Sequence, residues 1–389
     1  MGDMPTIHLV HEWLAERAGS EQVVEAMLRA LPVEALHALV YFPDEYRDSP
    51  IAGVDKRLSF FDRSRFLRKR FRTFLGLMPF AVEQYDLRAA EVVISSHHAC
   101  AKGVLTSSRQ LHISYVHSPM RYAWELYHDY LEGSGLNRGI RGLLAKWTLS
   151  RLRQWDRLAA DRVDLFLANS ETVARRIRKV YRRPAAVLHP PVQVDRFRAD
   201  RPREDFYCTV SRLVPYKRVD LLARVCSEMG RKLVIIGNGP DRARVEAAVG
   251  PTVTFLGNVD DATVQDHLER CRAFLFASEE DFGIVPVEAM AAGAPVVAYA
   301  RGGAGETVVD GETGVLVESQ SVDSFRSGIE RFESSEFSAE VCRNRAETFS
   351  EACFRQRLEH LVPSAWDAFQ QTGPWLPGRE PDAAAWIAP

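Results

Sequence analysis

No stretch of this 389-residue sequence stays apolar for the roughly 20 residues a membrane-spanning helix requires; the longest runs, such as residues 291–300, are broken by Gly or Pro. A spanning helix is therefore not expected. The six cysteines contain no CxxC pair and no His-rich spacing of the kind a zinc site uses, and they are expected to be reduced thiols, mostly buried. Low-complexity tracts are absent, and with 46% hydrophobic and 26% charged residues the chain is expected to fold throughout. Residues 1–5 lack the basic and apolar pattern of a secretory signal, which predicts a cytosolic chain. Met1-Gly2 with Thr6 fits the myristoylation pattern, but a match so short recurs by chance and is not read as a lipid anchor.

What is present is unevenly distributed. The formal net charge of −2 hides a basic block, because residues 51–200 hold 27 Lys and Arg against 14 Asp and Glu, leaving the remainder at −15. Such asymmetry points to an anionic partner. Its sources are residues 63–72, where Arg63, Arg65, Arg68, Lys69, Arg70 and Arg72 interleave with Phe66, Leu67 and Phe71, and residues 175–183. The first reads as a basic amphipathic stretch suited to anionic lipid headgroups. Nucleic acid is disfavoured, since neither an aromatic-rich RNA motif nor a recognition-helix pattern is visible.

At this length one hydrophobic core stops growing, which favours two domains. Short apolar runs at residues 6–10, 36–42, 92–95, 112–116 and 164–168 read as buried strands with amphipathic segments between several of them, among them the helical pattern Val23, Val24, Met27, Leu28, Leu31. Pro184, Pro190 and Pro191 then mark a linker, because proline fits neither a helix interior nor a central strand. A second series follows at 207–210, 233–236, 253–256, 273–277 and 295–298, and after Thr348 the pattern is helical to about Gln371. This alternation predicts two Rossmann-like α/β domains facing a cleft, at 1–190 and 191–348, with residues 349–389 packing back on the first.

The chemistry concentrates after the strand at 273–277. Ser278-Glu279-Glu280-Asp281-Phe282-Gly283 leads to a helix expected from about Pro286, so Glu280 would lie in the loop and Glu288 on the first helical turn, two acceptors suited to sugar hydroxyls. Asp281-Phe282-Gly283 also spells the kinase magnesium motif, but no partner motif accompanies it. Arg212 and Lys217 bracket a Pro-containing turn after the strand at 207–210, where two cations suit a diphosphate. Gly237-Asn238-Gly239, Gly257-Asn258-Val259 and Arg301-Gly302-Gly303 are further loops beside strand ends, serviceable as plain turns. In the first half, His97 and His98 end one strand and His117 ends another, on the edge where α/β sheets bind ligands.

Taken together, Glu280 and Glu288 with the intervening Phe-Gly and the following Glu-Ala-Met-Ala-Ala-Gly-Ala-Pro-Val-Val resemble the E-x7-E motif of the retaining family 4 glycosyltransferases of the GT-B fold. The resemblance implies that Glu288 binds the ribose of a nucleotide sugar, that Glu280 with Phe282, Gly283 and Ile284 holds the donor sugar, and that Arg212 and Lys217 neutralise the leaving diphosphate. It also implies Val259 beside the base, Gly19 of Ala18-Gly19-Ser20-Glu21 in a loop over the phosphates, and His117 against the donor sugar. In that loop Ala18 replaces a family glycine. The stretches His11-Glu12-Trp13 and 115–122 resemble bacterial mannosyltransferases of polysaccharide assembly, implying GDP-mannose, although close relatives use dTDP- and UDP-sugars. The expected reaction is metal-independent and needs no cofactor. It is hexose transfer with retention onto a glycan or polyprenyl-diphosphate-linked acceptor, by a protein peripheral on the inner face of the membrane. A nucleotide-sugar epimerase or a non-catalytic sugar-nucleotide or membrane-binding homologue would share the architecture.

Overall fold

The computed structural model describes residues 4–247, 249–376 and 378–387. The Met1-Gly2 pattern lies outside them. The chain divides into two compact units, one comprising residues up to His189 and from Phe354 onward, the other Pro190–Cys353.

The first unit holds seven strands: β1 (Ile7–His11), β2 (Val33–Ala38), β3 (Asp55–Leu58), β4 (Val92–His97), β5 (Leu111–Val116), β6 (Leu165–Ala168) and β7 (Ala186–Val187). They pair in parallel in the order β3-β2-β1-β4-β5-β6-β7. Strands β1, β4 and β5 are buried along their whole length, as expected for the centre of a parallel sheet covered on both faces, and they bury His8, Ser95, His112 and Ser114 among their apolar residues. The order reverses between β1 and β4, so the loops after these strands diverge and leave a crevice at their carboxyl ends. The expected strand at 36–42 begins earlier and ends at Ala38; residues 39–42 continue only through irregular bonds to the 12–14 loop, such as Leu39 N–H to the Glu12 carbonyl at 2.9 Å.

The second unit holds β8 (Tyr207–Val210), β9 (Leu233–Ile236), β10 (Val253–Gly257), β11 (Ala273–Phe276), β12 (Val296–Tyr299) and β13 (Gly314–Val317), again all parallel, in the order β10-β9-β8-β11-β12-β13. Its switch point is between β8 and β11. Both sheets together make the two-domain Rossmann-like GT-B fold.

The C-terminal helix Glu351–Thr372 buries Phe354, Leu358, Leu361, Val362, Ala365 and Phe369 in the core formed by β1, β4 and β5 of the first unit. Behind it, Arg183 is almost fully buried, ion-paired with Glu380 and donating to the Ala160 and Asp164 carbonyls at 3.2 and 3.1 Å. Of the cations that residues 175–183 add to the basic block, Arg175, Arg178, Lys179 and Arg182 are exposed, whereas Arg183 turns inward. Arg183 ties the return segment to the sheet, and Arg176 is likewise mostly buried, paired with Glu125 at 2.7 Å. Five cysteines are buried and Cys353 partly so; burial pushes the Cys226, Cys271 and Cys342 thiols up to about 12. No described helix is long and apolar enough to cross a membrane.

One polar cluster sits inside the first unit's core. The Lys102 ammonium, wholly buried, donates to the Asp156 carboxylate and, at 2.9 Å, to the Asp156 carbonyl, while Tyr181 Oη at 3.1 Å and Trp124 Nε1 at 2.8 Å also donate to that carboxylate. Every group in the cluster has a partner, as a buried charge requires.

Candidate functional site

In the second unit the loops leaving β8 and β11 flank the switch point. Arg212, Lys217, Val259 and Glu280 line one cavity of about 580 Å³ there, with Asn238, Asn258 and Val285. Lys217 and Glu280 form an ion pair whose side chains are largely shielded, at 14% and 24% exposure, and the Ser278 hydroxyl holds the Lys217 carbonyl at 3.3 Å. Arg212 is exposed and has no ion pair among the described residues. Arg218 does not line the cavity; it adopts φ +52° at the head of helix Val219–Glu228 and lies 3.6 Å from Asp220. A non-glycine residue in that conformation costs of order 1 kcal/mol, so the turn is held by its surroundings.

Glycines let the loops nest. A Cβ at Gly237 would meet the Ser211 carbonyl oxygen at 2.0 Å, and one at Gly239 the Leu213 oxygen at 2.1 Å. Gly302 and Gly303 lie equally close to the carbonyls of Glu280 and Phe282, and the Gly303 N–H donates to the Glu280 carbonyl at 2.9 Å. Their role here is loop packing: they fix the backbones that present Arg212 and Glu280.

Gly283 takes φ +83°, which only glycine adopts without strain, and turns the chain into helix Ile284–Ala291. The helix thus begins two residues before the expected Pro286, whose missing N–H falls in the first turn where no partner is needed. Glu288 consequently sits on the second turn, a correction to its expected place on the first. Glu288 is not among the cavity's lining residues; its carboxylate accepts from Arg196 Nη2 at 2.8 Å, and burial raises its pKa despite that cation. Phe282 points into the core, edge-on to Phe349 at 5.7 Å, so its backbone rather than its ring is available. Ile284 is partly buried at the helix start.

Gly19 and His117 belong to the first unit. Gly19 opens helix Gly19–Ala30 after β1, and Glu21 in its first turn accepts from the Ala18 N–H at 3.1 Å and the Ser20 hydroxyl at 2.8 Å. Its other oxygen meets His11 Nε2 at 3.2 Å; His11 Nδ1 meets Ser96 Oγ at 3.1 Å, and Ser96 Oγ meets His117 Nε2 at 2.8 Å. This relay runs along the ends of β1, β4 and β5. Burial, with His98 and His11 nearby, holds the His117 pKa well below its ordinary value, so the ring is neutral at neutral pH. With its proton on Nε2, donated to Ser96 Oγ, the neutral His117 ring keeps Nδ1 as an acceptor suited to a hydroxyl.

Glu12 anchors this edge. One buried carboxylate receives the N–H groups of His98, Ala99, Cys100 and Ala101 at 2.7–3.1 Å and lies 3.4 Å from His97 Nδ1. The turn so held sets His98 edge-on to Trp13 at 4.7 Å and 6.2 Å from the His117 ring. His97 is buried, within reach of Tyr181 Oη, and serves structure. Sequence reasoning missed Arg196, Glu21 and Ser96: none stands in a distinctive local pattern, except that a glutamate in a helix's first turn is a capping signal.

These carboxylates predict an acid response. Burial alone raises the Glu21 pKa, but the His11 ring and the Ser20 hydroxyl outweigh it and hold the group at about 2, against its usual 4.5; Glu12 lies lower still, burial being outweighed by His97, His98 and the backbone donors. Both ionised forms are favoured in the fold, so their stabilisation is complete above about pH 4.5 and is lost as the pH falls toward 2. For Glu21 the loss is about 3 kcal/mol. Glu21→Gln should flatten the decline in melting temperature across that window; a decline parallel to the wild type would refute the assignment.

Residues 193–349 match the family described as Glycosyl transferases group 1. The chain is 33% identical over 179 residues to the GDP-mannose-dependent alpha-(1-6)-phosphatidylinositol monomannoside mannosyltransferase of Mycolicibacterium smegmatis, covering 38% of this chain and 47% of the relative. It is 26% identical over 239 residues to the D-inositol 3-phosphate glycosyltransferase of Mycobacterium marinum, covering 53% and 48%. The chain thus spans about half the length of the curated relatives it matches. Among solved structures, the sucrose-phosphate synthase of Thermosynechococcus elongatus superposes with TM-score 0.69 at 17% identity over 94% of this chain and 100% of that one. Anabaena Alr3699/HepE in complex with UDP gives 0.63 at 15% identity over 92% and 100%. At such identities the likeness establishes the fold.

Proposed function

Because this chain carries a group 1 glycosyltransferase domain at residues 193–349 of a GT-B fold, we propose that it transfers a hexose from a nucleotide diphosphate to a hydroxyl of a lipid-linked or polysaccharide acceptor, with retention of configuration. The observation that carries the reading is the meeting of Arg212, Lys217 and Glu280 at the β8/β11 switch point, two cations and an acceptor where an open α/β sheet binds its ligand. Arg212 and Lys217 take the diphosphate, Glu280 and the Phe282-Gly283 backbone the sugar, Val259 the base, and Glu288 the ribose. In the first unit, Gly19 offers a helix start to phosphate and neutral His117 an acceptor to a sugar hydroxyl. The mannosyl donor is suggested by the 33% identical relative, a GDP-mannose-dependent mannosyltransferase, which makes GDP-mannose the first donor to test. No separate nucleophile is required if the departing phosphate removes the acceptor's proton on the same face, and electrostatic stabilisation of that phosphate is then the main catalytic term. The exposed cations of residues 63–72 support a peripheral position on an anionic membrane.

Calorimetric titration with GDP, UDP and dTDP and their sugar conjugates tests this reading; absence of nucleotide binding would end it. Glu288→Ala should weaken nucleotide binding about 10- to 100-fold, the worth of a charge-assisted bond to a hydroxyl at roughly 1.5–3 kcal/mol. Unchanged affinity in the folded variant would remove Glu288 from the ribose.

A further inference from the structure

The long helix Gly139–Ala159 of the first unit carries two faces. Gly142, Leu149, Leu152, Asp156 and Ala159 are buried toward the core. Ile140, Leu143, Leu144 and Trp147 follow the i, i+3, i+4, i+7 spacing of a single apolar stripe, yet are 79%, 69%, 59% and 61% exposed, and Leu158 continues the stripe. At roughly 100° per residue this stripe lies about opposite the buried one, so the protein's own core cannot cover it. Scattered exposed leucines need no explanation, but a contiguous stripe does.

Charge identifies what covers it. From Gly139 to Trp155 the helix has no acidic residue, and exposed Arg141 and Lys146 flank the stripe on its two sides, with Arg151 a turn beyond. The basic segment adjoins the same surface: the turn Phe71–Leu77 packs on the helix so closely that a Cβ at Gly76 would lie 3.2 Å from Thr148 Cγ2. Phe66, Leu77 and Phe80 are exposed there, and a groove of about 560 Å³ runs between the elements, lined by Phe74, Leu77, Trp147 and Trp155. A second copy of this chain on the stripe would set cation against cation. An anionic lipid surface accepts both the apolar residues and the charges.

We propose that Ile140, Leu143, Leu144 and Trp147 insert into an anionic bilayer, the helix lying in the interface with Arg141, Lys146 and Arg151 on headgroup phosphates. This rests on the peripheral-membrane reading and goes beyond it, assigning the insertion to a helix outside the basic segment and to apolar contact rather than to charge alone.

The test uses the full chain with vesicles of phosphatidylcholine, with or without phosphatidylglycerol. A fluorophore at Leu144→Cys, in a Cys353→Ser background, should shift to the blue with the anionic vesicles, whereas one at Val341→Cys should not. Leu143→Ser with Leu144→Ser should lower the partition coefficient at least about tenfold, and both positions are exposed enough for the fold to tolerate the change. Charge reversal at Arg65, Lys69 and Arg70 separates the two readings. If that reversal abolishes binding while the leucine variant binds like wild type, the basic segment holds the membrane and the helix proposal alone falls. If the wild type binds neither vesicle, both fall. Equal partition into neutral and anionic vesicles, or a solution dimer dispersed by the leucine substitutions, also overturns it.

Discussion

Removing the cation at Arg212 or Lys217 is expected to lower kcat about 10²–10³-fold, comparable to loss of one oxyanion-stabilising donor, with a much smaller change in KM. Negative charge grows on the phosphate oxygens as the glycosidic bond breaks, so cations fixed beside them bind the transition state more strongly than the intact donor, and such interactions raise turnover. The two residues lie in one cavity but differ in setting. Arg212 is exposed, whereas Lys217 is paired with Glu280, so a donor phosphate would have to share its ammonium with that carboxylate. Lys217→Ala therefore also strands Glu280, and Glu280→Gln separates the effects by breaking the pair while keeping the cation. Arg212→Lys should be impaired as well, because a point charge does not reproduce a planar fork. Steady-state kinetics on Arg212→Ala, Lys217→Ala, Glu280→Gln and Arg212→Lys, with EDTA added to the wild type, decide the matter. Changes confined to KM would refute the proposed role, and wild-type activity abolished by EDTA and restored by Mg²⁺ or Mn²⁺ would assign the charge stabilisation to a metal.

Asp156→Ala is expected to cost the first unit about 3–5 kcal/mol, the penalty for leaving a buried charge without its partner. Lys102 is wholly buried, its ammonium 5.5 and 4.7 Å from the Trp155 and Tyr181 rings. Loss of the carboxylate would also take the acceptor from Trp124 Nε1 and leave Tyr181 Oη only its longer contact to His97. The double variant Lys102→Met with Asp156→Leu removes both charges together and should lose much less than the single one, since apolar replacement of a buried pair is often neutral. Calorimetric melting of the three proteins measures this; a shift for Asp156→Ala no larger than that of an exposed substitution would show that water reaches the cluster.

Much of the site was legible because its signals are local. Glu280, Phe282, Gly283 and Glu288 lie on one strand-loop-helix unit whose glycine and apolar run announce the turn, and Arg212 and Lys217 follow a four-residue strand of which three residues are buried. Among the missed strands, β3 reads Asp-Lys-Arg-Leu, without an apolar run, and β7 has two residues, which shows the limit of such signals; β13, Gly-Val-Leu-Val, carries an apolar signal and was overlooked. The basic segments show another, since a run of arginines carries no information on which guanidinium turns inward, and Arg183 does.

By itself the sequence determined the alternation of buried strands and amphipathic helices, and hence two parallel sheets, because strand and helix periods depend on near neighbours alone. It also determined which loops carry cations, carboxylates and glycines. Only the tertiary structure decided which of these meet. Arg196 reaches Glu288 across 92 residues, and His11 reaches Ser96 across 85, because the sheet order sets β4 beside β1. The apolar stripe of helix Gly139–Ala159 was present in the sequence as a helical period, but the direction it faces depended on Leu149 and Leu152 being the side chains the core accepts. Periodicity is a property of one element, whereas facing requires a second element to pack against.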